Sequence, residues 1–161
     1  MTELVNEIVF RPAESSDWEK IAELLSMAGL PLAGAQENLS GFLLAFRGDE
    51  LVGSAGLERY GAAGENALLR SLAVADRERG RGLGSALVEK LLARARSERI
   101  ARIVLLTETA EPFFARFGFR RIARADAPES VRSSVEFQSA CPQSAAVMTL
   151  SMPAGTAEAP R

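Results

Sequence analysis

Apolar and polar positions change their period several times along the chain, and each change marks an element. Ile8-Val9-Phe10 is a short apolar run closed by Arg11-Pro12, which predicts a first strand. Ser15-Ser16-Asp17 then supplies N-cap residues, with Glu19 in the first turn. Trp18, Ile21, Leu24 and Leu25 keep helical spacing until Gly29. Residues 31–38 read as a loop or a short second helix. Two apolar runs, 42–46 and 51–57, flank Gly48-Asp49, which predicts a hairpin, and 61–64 marks another turn. Residues 67–75 are too continuously apolar for a one-sided strand and predict a central strand buried on both faces. Over 83–97, Leu83, Ala86, Leu87, Leu91 and Ala95 share one helical face. A buried strand at 103–106 comes next, then a helical stretch at 112–117 closed by Gly118, a short strand at 119–124, a helical turn at 128–135 and a last strand at 146–152. There is no internal repeat and no interior linker. The expectation is a single α/β (α+β) domain over 1–152, with a small, polar, disordered tail at 153–161.

Composition narrows the chemistry. The 161 residues are 47% hydrophobic and 25% charged, enough apolar material for one core and too much for wholesale disorder. No histidine is present, so a His-based triad, a His-ligated metal and an imidazole general base are all excluded. Cys141 is the single cysteine, which rules out an internal disulfide and any Cys-cluster metal site; no metal is expected. No segment approaches the ~20 apolar residues of a membrane span, and the acidic start MTELVNE is unlike a signal peptide. Cytoplasmic location is the default expectation, with neither membrane nor nucleic acid as partner.

A net charge of −2 hides an uneven distribution. Residues 70–132 hold 14 basic and 8 acidic side chains, while the remainder holds 5 basic and 13 acidic. A basic centre in an acidic chain points to an anionic ligand rather than a nucleic-acid coat. The candidate lies in Ser71-Leu72-Ala73-Val74-Ala75-Asp76-Arg77-Glu78-Arg79-Gly80-Arg81-Gly82-Leu83-Gly84-Ser85-Ala86-Leu87, where a strand runs into a Gly-rich turn that opens a helix. Glycines let backbone N–H groups converge on phosphate oxygens, the helix N-terminus adds unpaired donors, and Arg79 and Arg81 add charge at the rim. The spacing is neither a P-loop, since Gly-Lys-Ser/Thr is missing, nor a dinucleotide fingerprint. The plainer alternative is a glycine-rich turn carrying solvated arginines.

Arg79-x-x-Gly82-x-Gly84, preceded by Leu72-Ala73-Val74, resembles the acetyl-CoA-binding motif of the GNAT N-acetyltransferases. The hairpin at Gly48-Asp49, the Val104-Leu105-Leu106 strand and the Phe113–Phe119 turn agree with it, and the likeness covers roughly residues 8–150. Within that superfamily, residues 68–74, 109–114 and 141–145 look most like the arsenic-resistance-type enzymes, which are similar to the amino-acid acetyltransferase that makes N-acetylglutamate. The resemblance implies a mixed, mostly antiparallel twisted sheet of six to seven strands flanked by helices. It implies acetyl-CoA as cosubstrate, its pantetheine arm bonded to the backbone at Leu72, Ala73 and Val74. Its pyrophosphate would rest on the amides of Arg79, Gly80, Arg81, Gly82, Leu83 and Gly84. A backbone N–H at Leu72 would stabilise the oxyanion.

Two departures from the family pattern stand out. Leu68 occupies a position where relatives often carry an acid, and Phe114 one where many carry the tyrosine thought to protonate the departing thiolate. Glu58 is then a substitute base, with a solvated surface carboxylate as the alternative. Arg70 falls among apolar neighbours, and period-two alternation sets it on one face with Leu68, Leu72 and Val74. Its charge needs an anion, either a substrate carboxylate or an internal partner such as Glu58. Arg132 lies in a stretch, 130–137, that lines the amino-acid pocket of relatives, and is a second candidate for a substrate acid group.

The expected function is acetyl transfer from acetyl-CoA to the amine of a small amino-acid-like molecule, an ordinary amino acid or a toxic glutamate analogue, by direct attack on the thioester. Two other readings stay open: a non-catalytic acyl-CoA-binding sensor and a peptide or protein N-acetyltransferase. A homodimer is compatible with either enzyme reading.

Overall fold

The hairpin at Gly48-Asp49 organises the first half of the chain, and a parallel crossover organises the second. The structure, a computed structural model, describes residues 7–140 and 143–152. The acidic start, Cys141 and the 153–161 tail lie outside the described residues. In chain order the strands and α-helices are β1 (Ile8–Pro12), α1 (Trp18–Met27), β2 (Phe42–Arg47), β3 (Glu50–Tyr60), β4 (Asn66–Val74), α2 (Leu83–Ser97), β5 (Arg102–Thr107), α3 (Glu111–Ala115), β6 (Arg120–Ile122), α4 (Glu129–Arg132) and β7 (Ala146–Ser151). The strands hydrogen-bond in the order β1-β2-β3-β4-β5-β7-β6, one seven-stranded sheet. β1 with β2, β2 with β3, β5 with β7 and β6 with β7 are antiparallel; β4 and β5 are parallel over Asn66–Leu68, which requires the α2 crossover. The expected element order and mixed sheet are therefore present.

The described residues fall into two compact units, 7–57 with 70–92, and 58–69 with those from 93 to 152. In the first, Ile21, Leu24 and Leu25 of α1 pack with Phe42, Leu44, Phe46, Leu51 and Ala73. The helical spacing read from Trp18 onward buries this stripe because only one side of α1 is apolar. α2 also seats here: a Cβ on Gly53 would come within 3.0 Å of Leu87 and 3.2 Å of Leu83, so a glycine in β3 lets the helix approach. In the second unit, Leu68 and Val104 pack with Ala127, Val131, Phe137 and Val147.

β4 departs from the expected alternation. Ser71 has φ 62°, a left-handed residue inside a strand, which costs a non-glycine residue ~1–2 kcal/mol. The break resets which side chains turn inward. Residues 67–71 are all buried; beyond them Ala73 is buried in the first core while Leu72 and Val74 are half-buried. Arg70, Leu72 and Val74 therefore do not share one uninterrupted face, as simple period two implies. The distortion is held by the Ser54 hydroxyl, which donates to the Ser71 carbonyl at 2.8 Å, and by Arg70 Nε, which donates to Ser71 Oγ at 3.0 Å.

Smaller differences have local causes. β3 continues through Glu58 to Tyr60, three residues past the apolar run, and β6 is shorter than 119–124. The turn at 128–135 contracts to α4, and a π-helix over Glu136–Ala140 succeeds it, which no periodicity signals.

Ser54→Ala tests the break in β4. Losing the hydroxyl leaves the buried Ser71 carbonyl one donor short, so stability should fall by about 1–3 kcal/mol in a urea titration. An unchanged midpoint would mean that the hydroxyl does not hold the strand in this form.

Candidate functional site

The Gly-rich turn begins just past the end of β4 at Val74. Ala75 N–H donates to the Val52 carbonyl at 2.8 Å, after which the chain makes a 3-10 turn over Asp76–Glu78. Arg79 is extended, and Gly80 and Gly82 come after it with φ 80° and 82°. These left-handed positions turn the backbone straight into α2, whose first helical bond runs from Ala86 N–H to the Gly82 carbonyl at 3.0 Å. A Cβ placed on Gly80 or Gly82 would meet nothing within 4 Å, so their outer side is open. The amides of Leu83, Gly84 and Ser85 begin the helix without intrahelical acceptors. Turn and helix start thus present backbone N–H groups in the arrangement that suits a phosphate.

Charged side chains frame the turn. Arg79 lies 3.4 Å from Asp76 and Arg81 3.8 Å from Glu78, and both guanidinium side chains are largely exposed. Glu78 is buried, and both of its oxygens are taken by Arg47: Nε donates at 2.7 Å and Nη2 at 2.9 Å. Arg77 pairs with Glu50 across the surface. A cavity of about 750 Å³ opens alongside, lined by Lys20, Glu23 and Met27 of α1, by Arg47 and Glu50, and by residues 74–77 and 79.

Arg70 is 2% exposed, and its guanidinium holds backbone carbonyls of the preceding loop: Nη2 donates to Ala33 at 2.8 Å and to Pro31 at 3.3 Å. It therefore has a structural task within its own unit, whatever anion it also meets. Leu72, Ala73, Val74, Arg79, Gly80, Arg81, Gly82, Leu83 and Gly84 lie in that same unit, and Glu58 and Arg132 belong to the other.

Glu58 is 3% exposed, which removes the solvated-surface reading. Tyr60 Oη donates to Glu58 Oε1 at 2.5 Å, so the chain's single tyrosine orients the carboxylate proposed as base. Sequence reasoning gave Tyr60 no role. The signal was present in the two-residue spacing, which puts Glu58 and Tyr60 on one face once β3 extends that far. Arg132 Nε donates to the Ala127 carbonyl at 3.0 Å, an anchor at the end of α4.

Residues 7–119 match the acetyltransferase (GNAT) family. The chain belongs to that family. No curated protein matches it. Among solved structures it is similar to N-acetylglutamate synthase from Neisseria gonorrhoeae, complexed with coenzyme A and N-acetyl-glutamate, with TM-score 0.77 and 23% identity. That likeness covers 91% of this chain but only 35% of the synthase, so the chain spans about a third of that enzyme. A Mycobacterium tuberculosis protein in complex with CoA and a second ligand aligns at TM-score 0.74 and 27% identity over 90% of this chain and 99% of that one. A GNAT-family acetyltransferase from Staphylococcus aureus Mu50 aligns at TM-score 0.74 and 21% identity, over 91% and 100%. The arsenic-resistance subtype is not specified by any of these matches.

Against the GNAT pattern, both departures seen in the sequence are accommodated as core. Leu68 is fully buried in the second unit, and Phe114 sits edge-on to Phe113 and Phe119, with ring centroids 5.0 and 5.8 Å away. The aromatic run is thus a packed patch. Among the described residues no group of three or more His, Cys, Asp or Glu is placed to hold a metal ion, and no helix is long and apolar enough to cross a membrane.

The buried ion pair beside the turn predicts a pH dependence. Hydrogen bonding to Arg47 holds the Glu78 carboxyl below its ordinary 4.5, against the opposing effect of burial. A folded-state value lower than the unfolded one adds stability above the unfolded value, lost as pH falls through the folded value. Glu78→Gln should therefore be less stable than the parent at neutral pH, and the difference should shrink as acid protonates Glu78 in the parent. Urea midpoints measured across the acid range check this; a gap independent of pH would show that the charge does not contribute.

Proposed function

We propose that this GNAT protein is an acetyl-CoA-dependent N-acetyltransferase whose acceptor is a small amine carrying a carboxylate, an amino acid or a glutamate analogue. The carrying observation is β4 together with its turn into α2: a strand broken at Ser71, half-buried positions at Leu72 and Val74, and left-handed, uncovered glycines at the helix start. The β4–β5 register runs over Asn66–Leu68, before the left-handed Ser71, which fits an extended pantetheine arm alongside Leu72, Ala73 and Val74. The amides from Arg79 to Gly84 fit the pyrophosphate, and Arg79 and Arg81 complement its charge. Acetyl-CoA supplies the activated acyl group as a thioester.

In this reading Glu58, held by Tyr60, accepts the proton of the attacking ammonium, directly or through water. The free amine adds to the thioester carbonyl, Leu72 N–H stabilises the oxyanion, and the C–S bond breaks to release the CoA thiolate. Phe114 has no proton to give, so water relays to the thiolate the proton that the adduct nitrogen loses as the amide forms. Arg70 supplies the guanidinium for a substrate carboxylate, with Arg132 as the second candidate. The N-acetyl-glutamate bound by the Neisseria enzyme supports an amino-acid acceptor. The finer likeness to arsenic-resistance-type enzymes supports a toxic glutamate analogue as one member of that class.

A thiol-release assay with acetyl-CoA and a panel of amines, with and without a carboxylate, tests this proposal. The carboxylate-bearing amines should be preferred. Arg70→Met should raise their KM by about ten- to a hundredfold, the worth of a charge-assisted hydrogen bond, and raise the KM for acetyl-CoA less, through the lost bond to Ser71 Oγ. It should also lower stability, because it abandons the Pro31 and Ala33 carbonyls. Glu58→Gln should lower kcat/KM by ~10²-fold. Tight CoA binding without release from any amine would instead favour the acyl-CoA-binding module.

A further inference from the structure

Arg47 lies on the hairpin, outside the stretch of chain that forms the turn, yet its guanidinium meets that turn at its most consequential point. Glu78 is the last residue of the 3-10 turn, immediately before Arg79, and is 3% exposed. It immediately precedes in sequence the amides proposed to receive phosphate, and an unpaired negative charge so close along the chain would repel the ligand. It is also within reach of Arg81, one of the two cations available for that ligand. Arg47 answers both problems with one contact, since its two nitrogens take the two Glu78 oxygens at 2.7 and 2.9 Å and leave Arg81 at 3.8 Å. The Arg81 side chain remains 64% exposed. The hairpin adds a second tie with the charges reversed. Glu50 faces Arg47 in the β2–β3 register and pairs with Arg77, the neighbour of Glu78. That outer pair is exposed and contributes little alone; the inner one is shielded and two-pronged.

We propose that Arg47 is a positioning residue for the coenzyme: by occupying Glu78 it fixes the start of the phosphate-binding turn and holds Arg81 to a loose, solvent-exposed pairing from which it can turn to the ligand. This rests on the reading of residues 79–84 as the pyrophosphate site. Without Arg47, Arg81 turns to Glu78, and the turn loses a cation while keeping an unscreened carboxylate.

Calorimetric titration with CoA tests the assignment, with circular dichroism confirming the fold of each variant. Arg47→Met should weaken CoA binding about tenfold, the loss of roughly one charge-assisted contact. Adding Glu78→Gln to it should restore most of the affinity, because the competing carboxylate is gone; since that change also relieves a buried unpaired charge, the Arg81→Ala comparison is what separates this role from one in structure alone. Arg81→Ala should weaken binding in the parent and have little further effect in Arg47→Met, where Arg81 is already withdrawn. If Arg47→Met does not fold, Arg47→Lys, which keeps the charge but only one prong, should show a smaller loss with the same rescue. Parental affinity in the folded Arg47 variant, absence of rescue, or full additivity with Arg81→Ala each overturns the inference. Gly82→Asp separates it from the underlying reading. If this variant binds CoA like the parent, the turn is not the pyrophosphate site; if it loses CoA while Arg47→Met keeps it, only the role of Arg47 fails.

Discussion

The left-handed backbone at Ser71 is the constraint on which the candidate site depends. A strand with both faces packed ordinarily commits all its backbone groups to its neighbours and offers none to a ligand. In β4 the register with β5 runs over Asn66–Leu68 and the backbone turns left-handed at Ser71, at a local cost offset by the Ser54 hydroxyl and the Arg70 guanidinium. Before the break the strand serves the core. After it, Leu72 and Val74 are half-buried, and the chain runs on through Ala75 to a turn whose glycines have room beside them.

The charges around that turn are arranged to the same end. A turn meant for phosphate gains from arginines and is harmed by carboxylates, yet this one carries Asp76 and Glu78 beside Arg77, Arg79 and Arg81. Pairing Glu78 with Arg47 and Glu50 with Arg77 ties the turn to the β2–β3 hairpin and leaves Arg79 and Arg81 largely exposed. Arg70 is similarly divided between holding the loop carbonyls at Pro31 and Ala33 and the substrate role proposed for it.

Much of the fold was legible because it rests on period and punctuation. The α2 stripe from Leu83, the Gly48-Asp49 hairpin and the continuous apolar run of β4 each carry a local signal, and the structure places elements on all three. The Gly-rich turn was legible for the same reason, since strand, glycines and helix are contiguous. What escaped was non-local or non-periodic. Ser71 is left-handed without being glycine, so nothing in its residue type marks the break. Arg47 meets Glu78 across 31 positions of sequence. Tyr60 was readable in principle, but only once β3 was known to reach it.

The central claim is that the distal half of β4 and the turn after it hold the coenzyme through backbone amides. An amide-resolved NMR titration of the isotopically labelled protein with CoA tests this residue by residue. The account predicts that the largest shift changes, and new protection from exchange, fall at Leu72, Val74 and the amides from Gly80 to Ser85. Saturable CoA binding that leaves those amides unmoved and perturbs others would contradict it.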